Sequence, residues 1–284
     1  MAVPEPADGT PPAATPRGGR NLPIAIGVGL GLAAVYLGSL VLEPVVFLVF
    51  VAVNIIVALY ELDAAFARTK ARPPTIVAAV ATPVMLLGTY WWGVDVQVNV
   101  LYAALVVGFV MVLASHEVGH AVSRMAALAL MLIWVVVAAS SLGLLLNRPD
   151  GHWYVMAGTA LTVTNDIGAY AFGRNFGRRK IAPAISPGKT WEGFAGAMVT
   201  TLVMAALVTT RTVPGVDLVP ALVLAAAVVV AATLGDFAES LVKRDLGIKD
   251  LGGIFPGHGG VMDRIDALLF ALPVTHLVLL AFGI

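Results

Sequence analysis

Val223–Asp266 reads VLAAAVVVAATLGDFAESLVKRDLGIKDLGGIFPGHGGVMDRID. Its first 13 residues carry no charge. Ser240–Asp266 alone then holds four aspartates, four basic residues and a histidine, in a chain that is only 12% charged. Beyond Asp266 the residues turn apolar again as far as Ile284. A spanning helix needs about 20 mostly apolar residues, and both flanks supply them. The stretch therefore reads as a transmembrane helix, a polar surface loop and a second transmembrane helix.

The same pattern covers most of the chain. Of 284 residues 59% are hydrophobic and the mean hydropathy is +0.92, far too apolar for a soluble domain of this size. Apolar runs fall at roughly 23–42, 44–61, 75–93, 98–122, 125–146, 153–173, 192–210, 217–237 and 264–284. The expectation is an all-α polytopic integral membrane protein with about nine transmembrane helices. Residues 1–22, rich in Pro, Ala and Gly, read as a disordered cytoplasmic tail. Residues 23–150 hold spans one to five, and residues 151–284 hold spans six to nine with loops at 174–191 and 238–263. With no cysteine in the chain, disulfides and thiolate metal sites are excluded.

Orientation follows from the basic residues. With the N-terminus cytoplasmic and nine spans threaded, 15 of the 17 Lys and Arg fall on the cytoplasmic side, all but Arg148 and Arg211, and the C-terminus lies outside. Nine of the 15 belong to the loop after span six or to the opening stretch. Polar chemistry is therefore expected on the cytoplasmic face of the C-terminal half.

Helical spacing extends that chemistry into the spans. Asp236, Glu239, Ser240 and Lys243 stand at i, i+3, i+4 and i+7 and share one face. A solvated helix end with internal ion pairs explains part of this, but Asp236 lies near the hydrocarbon boundary and needs a partner. Asp263 and Asp266 start the last span, where the helix dipole favours acids. Such hard oxygen ligands also suit Mg²⁺, which takes few carboxylates and fills its sphere with water and substrate phosphates. Lys243, Arg244, Lys249 and Arg264 supply the opposite charge, and Gly259 and Gly260 let backbone amides approach an anion. In span six, Asp166 shares a stripe with Tyr170 and Arg174, and an ionisable residue there marks function by default.

Two other motifs compete. Gly188-Lys189-Thr190 suggests a phosphate loop, but the position that should be the first glycine is Pro183. Lys189 remains a point charge for phosphate. His116-Glu117-x-x-His120 fits the zinc-protease pattern, so an intramembrane zinc metalloprotease is the alternative function, with Asp150 as the third ligand. The threading puts His116 and Asp150 on opposite sides of the membrane. A carrier or scaffold is a third class, because polar residues inside spans also mark transport paths.

Ser240, Lys243-Arg244, Lys249-Asp250, Pro256, His258-Gly259-Gly260, Asp263-Arg264 and Asp266 resemble, spacing for spacing, the signature of the phosphatidate cytidylyltransferase (CDP-diacylglycerol synthase) family. Asp166-Ile167-Gly168-Ala169-Tyr170 is similar to its Asp-Thr-Gly-Ala-Tyr block, with Ile167 for Thr. Ser186-Pro187-Gly188-Lys189-Thr190 is similar to the next block. The resemblance covers about 155–284. It implies transfer of a cytidylyl group from CTP to phosphatidate, giving CDP-diacylglycerol and pyrophosphate for phospholipid synthesis in the cell inner (plasma) membrane. Its expected partners are CTP, phosphatidate and the bilayer, with no nucleic acid, and it suggests a homodimer. On this resemblance Asp236 and Asp263 are the expected Mg²⁺ ligands, with a monovalent cation left open, and Asp250 and Asp266 stand beside them. Lys189, Lys243, Arg244, Lys249 and Arg264 neutralise phosphates, and His258 orients one. Asp166, Tyr170, Ser186, Thr190, Ser240, Gly259 and Gly260 line the substrate pocket.

Overall fold

The computed structural model describes residues 22–115, 118–252 and 259–284. Among them the chain forms nine long helices: α1 Leu22–Leu42, α2 Pro44–Phe66, α3 Thr75–Trp92, α4 Asp95–Ala114, α5 Ala121–Leu146, α6 Gly151–Phe176, α7 Trp191–Thr212, α8 Leu218–Asp245 and α9 Met262–Ala281. Seven of these, α2 to α5 and α7 to α9, are long and apolar enough, among the described residues, to cross a membrane by length and composition. The protein is a helical membrane protein. The tail expected at 1–22 lies outside the described residues but for Leu22.

Turn chemistry sets the helix boundaries. Pro44 starts α2 after the extended residue Glu43, because proline is pre-set for a first helical turn and needs no amide partner there. Gly93, at a φ of 77°, ends α3 in a conformation that costs most other residues strain. Between Leu130 and Ala138 the backbone of α5 loosens into a π-helical segment, Met131–Val137.

Small residues and van der Waals fit hold such a bundle together, since lipid tails are as apolar as leucine. On α4 the buried residues are Ala104, Gly108 and Val112, one stripe, while Tyr102, Phe109 and Leu113 stay exposed as a lipid-facing surface. A Cβ on Gly158 would meet Thr275 Oγ1 at 2.7 Å, so the α6 backbone lies directly against the Thr275 side chain of α9. Fully buried Phe47, Leu59, Met85, Leu128 and Leu161 fill the centre.

One feature departs from the all-α expectation. The loop after α6 forms an antiparallel hairpin of β1 Lys180–Ala182 and β2 Ser186–Thr190, with Lys180 opposite Thr190 and Ala182 opposite Ser186. Six residues bear on its open end: the Arg178 and Arg179 amides donate to Glu192 at 3.0 and 3.1 Å, Trp191 donates to the Arg179 carbonyl at 2.9 Å, and Thr190 caps α7 by accepting from Gly193 at 3.1 Å. These local bonds satisfy backbone groups that a bare loop would leave to water.

Candidate active site

The site begins with a close helix contact. A Cβ on Gly235 of α8 would meet the Asp266 carbonyl at 2.5 Å and Ala267 Cα at 3.1 Å. Glycine lets α9 lie against α8 here, and the next residue, Asp236, comes within hydrogen-bonding reach of Asp266. One turn further along, the Glu239 and Asp263 carboxyls lie within reach of each other. Lys243 bridges that pair, donating to Glu239 Oε2 at 2.6 Å and Asp263 Oδ1 at 3.0 Å. Asp263 Oδ2 also accepts the Gly260 amide at 3.0 Å, and Gly259 just before it holds a φ of 82°.

The hairpin closes the other side. Lys189 on β2 is ion-paired with Asp236 and stacks over Phe237 at 5.1 Å. Asp166, Tyr170, Lys189, Thr190 and Asp236 border one cleft of about 310 Å³ between α6, α7, α8 and the hairpin. Asn165 donates to Asp166 at 3.1 Å, and Arg174 donates to the Tyr170 hydroxyl at 2.7 Å.

Two carboxylates at hydrogen-bonding distance call for a shared cation or proton, and here two such pairs sit side by side. Asp236 and Asp263 were the expected couple, but each finds its carboxylate partner elsewhere, in Asp266 and Glu239 respectively. Glu239 is 4% exposed, and its Oε1 has no hydrogen-bond partner among the described residues. Its spacing from Asp236 placed it on this face, yet it was given no role. Among the described residues no three Asp, Glu or His side chains form a ready cage for a metal. Mg²⁺ does not require one, since one or two carboxylates plus substrate phosphates suffice. Hard oxygens and an orphaned buried acceptor fit such an ion.

Other expected residues lie further out. Ser240 is half-buried on α8, while Lys249 and Asp250 are exposed in the loop that follows. Arg244 donates to the Ile185 carbonyl at 3.3 Å and so ties α8 to the hairpin turn. Ser186 pairs within the hairpin, and Thr190 is 4% exposed as the α7 cap. Arg264 borders a separate apolar cavity of about 340 Å³ with Tyr36, Asn54 and Leu268, because successive helical residues point about 100° apart. His258, like His116 and Glu117 of the alternative motif, lies outside the described residues. His120 precedes α5 and Asp150 follows it. A helix of 26 residues, about 39 Å at 1.5 Å per residue, separates those two proposed zinc ligands.

Fold and site together define a helical membrane protein that gathers carboxylates and lysines at one end of its bundle. A sequence profile of the cytidylyltransferase family matches residues 24–282, and the chain belongs to that family. It is 34% identical over 273 residues to a phosphatidate cytidylyltransferase of Mycobacterium leprae, covering 90% of this chain and 86% of that protein. A Mycobacterium bovis protein of the same name is 32% identical over 281 residues, 95% of this chain and 92% of the relative. One from Pseudomonas aeruginosa is 36% identical over 205 residues, 72% and 71% of the two chains. The likeness thus reaches back through the N-terminal helices, well before the motifs of 155–284.

Proposed function

We propose that this chain transfers a cytidylyl group from CTP to phosphatidate, giving CDP-diacylglycerol and pyrophosphate. Its relatives carry that activity in their names. The observation that carries the reading to this chain is the cluster itself. Helices α8 and α9, joined by the signature stretch, set Asp236, Glu239, Lys243, Asp263 and Asp266 beside Lys189 and the cleft.

The chemistry asks little of a base. The lipid phosphate is already an anion. One of its oxygens attacks the α-phosphorus of CTP, the bond from that phosphorus to the bridging oxygen breaks, and pyrophosphate leaves with the electron pair. The barrier is the gathering of negative charge, so positioning and charge neutralisation supply most of the catalysis. Lys189 and Lys243 stand at the cluster to meet phosphate oxygens, Lys249 lies in the exposed loop, and Arg244 anchors the hairpin that holds Lys189. Asp236, Asp263, Asp266 and Glu239 are the side chains that would hold Mg²⁺. Bound there, the ion supplies Lewis-acid neutralisation of phosphate charge. Asp166 and Tyr170 line the approach.

The reading includes nine crossings, with the site on the cytoplasmic side of a plasma membrane, where CTP is found. The distribution of Lys and Arg supports that orientation. A homodimer is proposed from the family resemblance alone. The test is purified protein supplied with CTP, Mg²⁺ and phosphatidate and followed for pyrophosphate release. Activity that disappears with a chelator, returns with Mg²⁺ and survives His116→Ala is the expected result. No CTP-dependent pyrophosphate release would overturn the reading.

A further inference from the structure

Glu61 stands on α2, in the half of the chain that carries none of the signature residues, and it is 6% exposed. Its carboxylate reaches the start of α9. Oε1 accepts the Val261 amide at 3.0 Å and Oε2 accepts the Met262 amide at 2.9 Å. The preceding amide, Gly260, goes to Asp263. Two carboxylates therefore take three successive amides at the head of the helix, where the dipole favours negative charge. The backbone is shaped to receive Glu61. A Cβ on Gly260 would meet its Oε2 at 2.5 Å, and one on Gly252 would meet its Cγ at 2.8 Å with the carboxylate nearer still. Both flanks of the segment 253–258 thus close on this one side chain.

We propose that Glu61 is a positioning residue for the transfer reaction, clamping the signature stretch at Gly252 and at the start of α9 so that Asp263 and Asp266 meet Glu239 and Asp236. The proposal rests on the transferase reading and goes beyond it. Glu61 touches no substrate in this role. It sets the start of α9, and the residue next to Met262 is Asp263. A misplacement of about 1 Å in a reacting group can cost about 100-fold in rate. The N-terminal helices then do more than build the bundle, since one of them holds the catalytic geometry.

The test uses full-length protein in detergent and the variants Glu61→Gln, Glu61→Ala and Gly252→Ala. Glutamine keeps the shape but turns an N–H donor toward one of the two amides. The expected result for Glu61→Gln is a wild-type melting profile, a kcat about 10- to 100-fold lower, a KM for CTP near that of wild type, and a higher Mg²⁺ concentration for half-activation. Amide exchange at Val261 and Met262 accelerates in both Glu61 variants. The cost of Gly252→Ala should shrink in the Glu61→Ala background, as it does for residues that share one contact. A purely structural Glu61 would lower the melting temperature while each folded molecule kept wild-type kcat and Mg²⁺ dependence, and that result overturns the proposal. If Glu61→Ala fails to fold, Gly252→Ala carries the test, because it keeps Glu61 and displaces it; wild-type kcat in the folded variant is then the overturning result. Wild-type protein without pyrophosphate release removes the reaction assignment instead, and amide exchange at Val261 and Met262 still reads the clamp.

Discussion

Asp263 meets three demands at once: it accepts the Gly260 amide, pairs with Lys243 and faces Glu239. Asparagine keeps nearly the same outline and can still accept from Gly260, but it has no charge to offer Lys243 or a metal. Asp263→Asn is expected to lower kcat at least about 100-fold, the scale seen when one preorganised electrostatic contact is removed, while the protein stays folded in detergent. Pyrophosphate release and a thermal melt check both halves, and near-normal turnover would sink the metal assignment. Much of this neighbourhood was legible in the sequence. Asp236, Glu239 and Lys243 announce one helical face, and Asp263 and Asp266 announce the next. Glu61 was not legible, because an acid near the end of an apolar run has no local partner in the sequence. Its partners are backbone amides 200 and 201 positions away, and amides carry no residue identity to read. Thr190 shows what a motif leaves out: it borders the cleft, as its place in the motif suggested, and its hydroxyl also caps α7.

At the scale of elements, the site depends on how closely α8 and α9 approach. Gly235 sets that distance, and adding a methyl group there presses on the Asp266 carbonyl. Overpacking of this kind typically costs about 1–3 kcal/mol. Gly235→Ala should therefore lower the melting temperature and lower kcat as well, since Asp266 is moved with its own backbone. Gly38→Ala is the control, because nothing lies within 4 Å of a Cβ there. Equal melting temperatures and equal activities for the two variants would remove the helix contact from the account. Apolar periodicity located the helices themselves, but not the hairpin of Lys180–Thr190. Residues 174–192 contain two prolines and two glycines and read as loop. The strands exist because their ends are tied down by Glu192 and Arg244, contacts that local propensity does not encode.

For the whole molecule, the open question is which ends of the helices share a side of the membrane. If every long helix crosses, α6 must cross with them, although its length of 26 residues comes with polarity that keeps it off the apolar set. Asn165 and Asp166 line the cleft and Arg174 donates to Tyr170 beside it, so the site's own residues lower the hydropathy of a helix that packs against α7, α8 and α9. The absence of cysteine makes single-cysteine reporters unambiguous. With nine crossings, Lys70→Cys after α2 and Lys249→Cys after α8 should react with an impermeant maleimide from the same side, the cytoplasmic one. Asp95→Cys at the start of α4 and Asp217→Cys before α8 should react only from the opposite side. If α6 did not cross, the side assigned to every loop after it would invert, and Lys249→Cys would label with Asp95→Cys. Glu61 argues for the first pattern, because its contact with Val261 and Met262 places the end of α2 level with the start of α9. A bundle that holds its carboxylate pairs at that level presents them to one aqueous face.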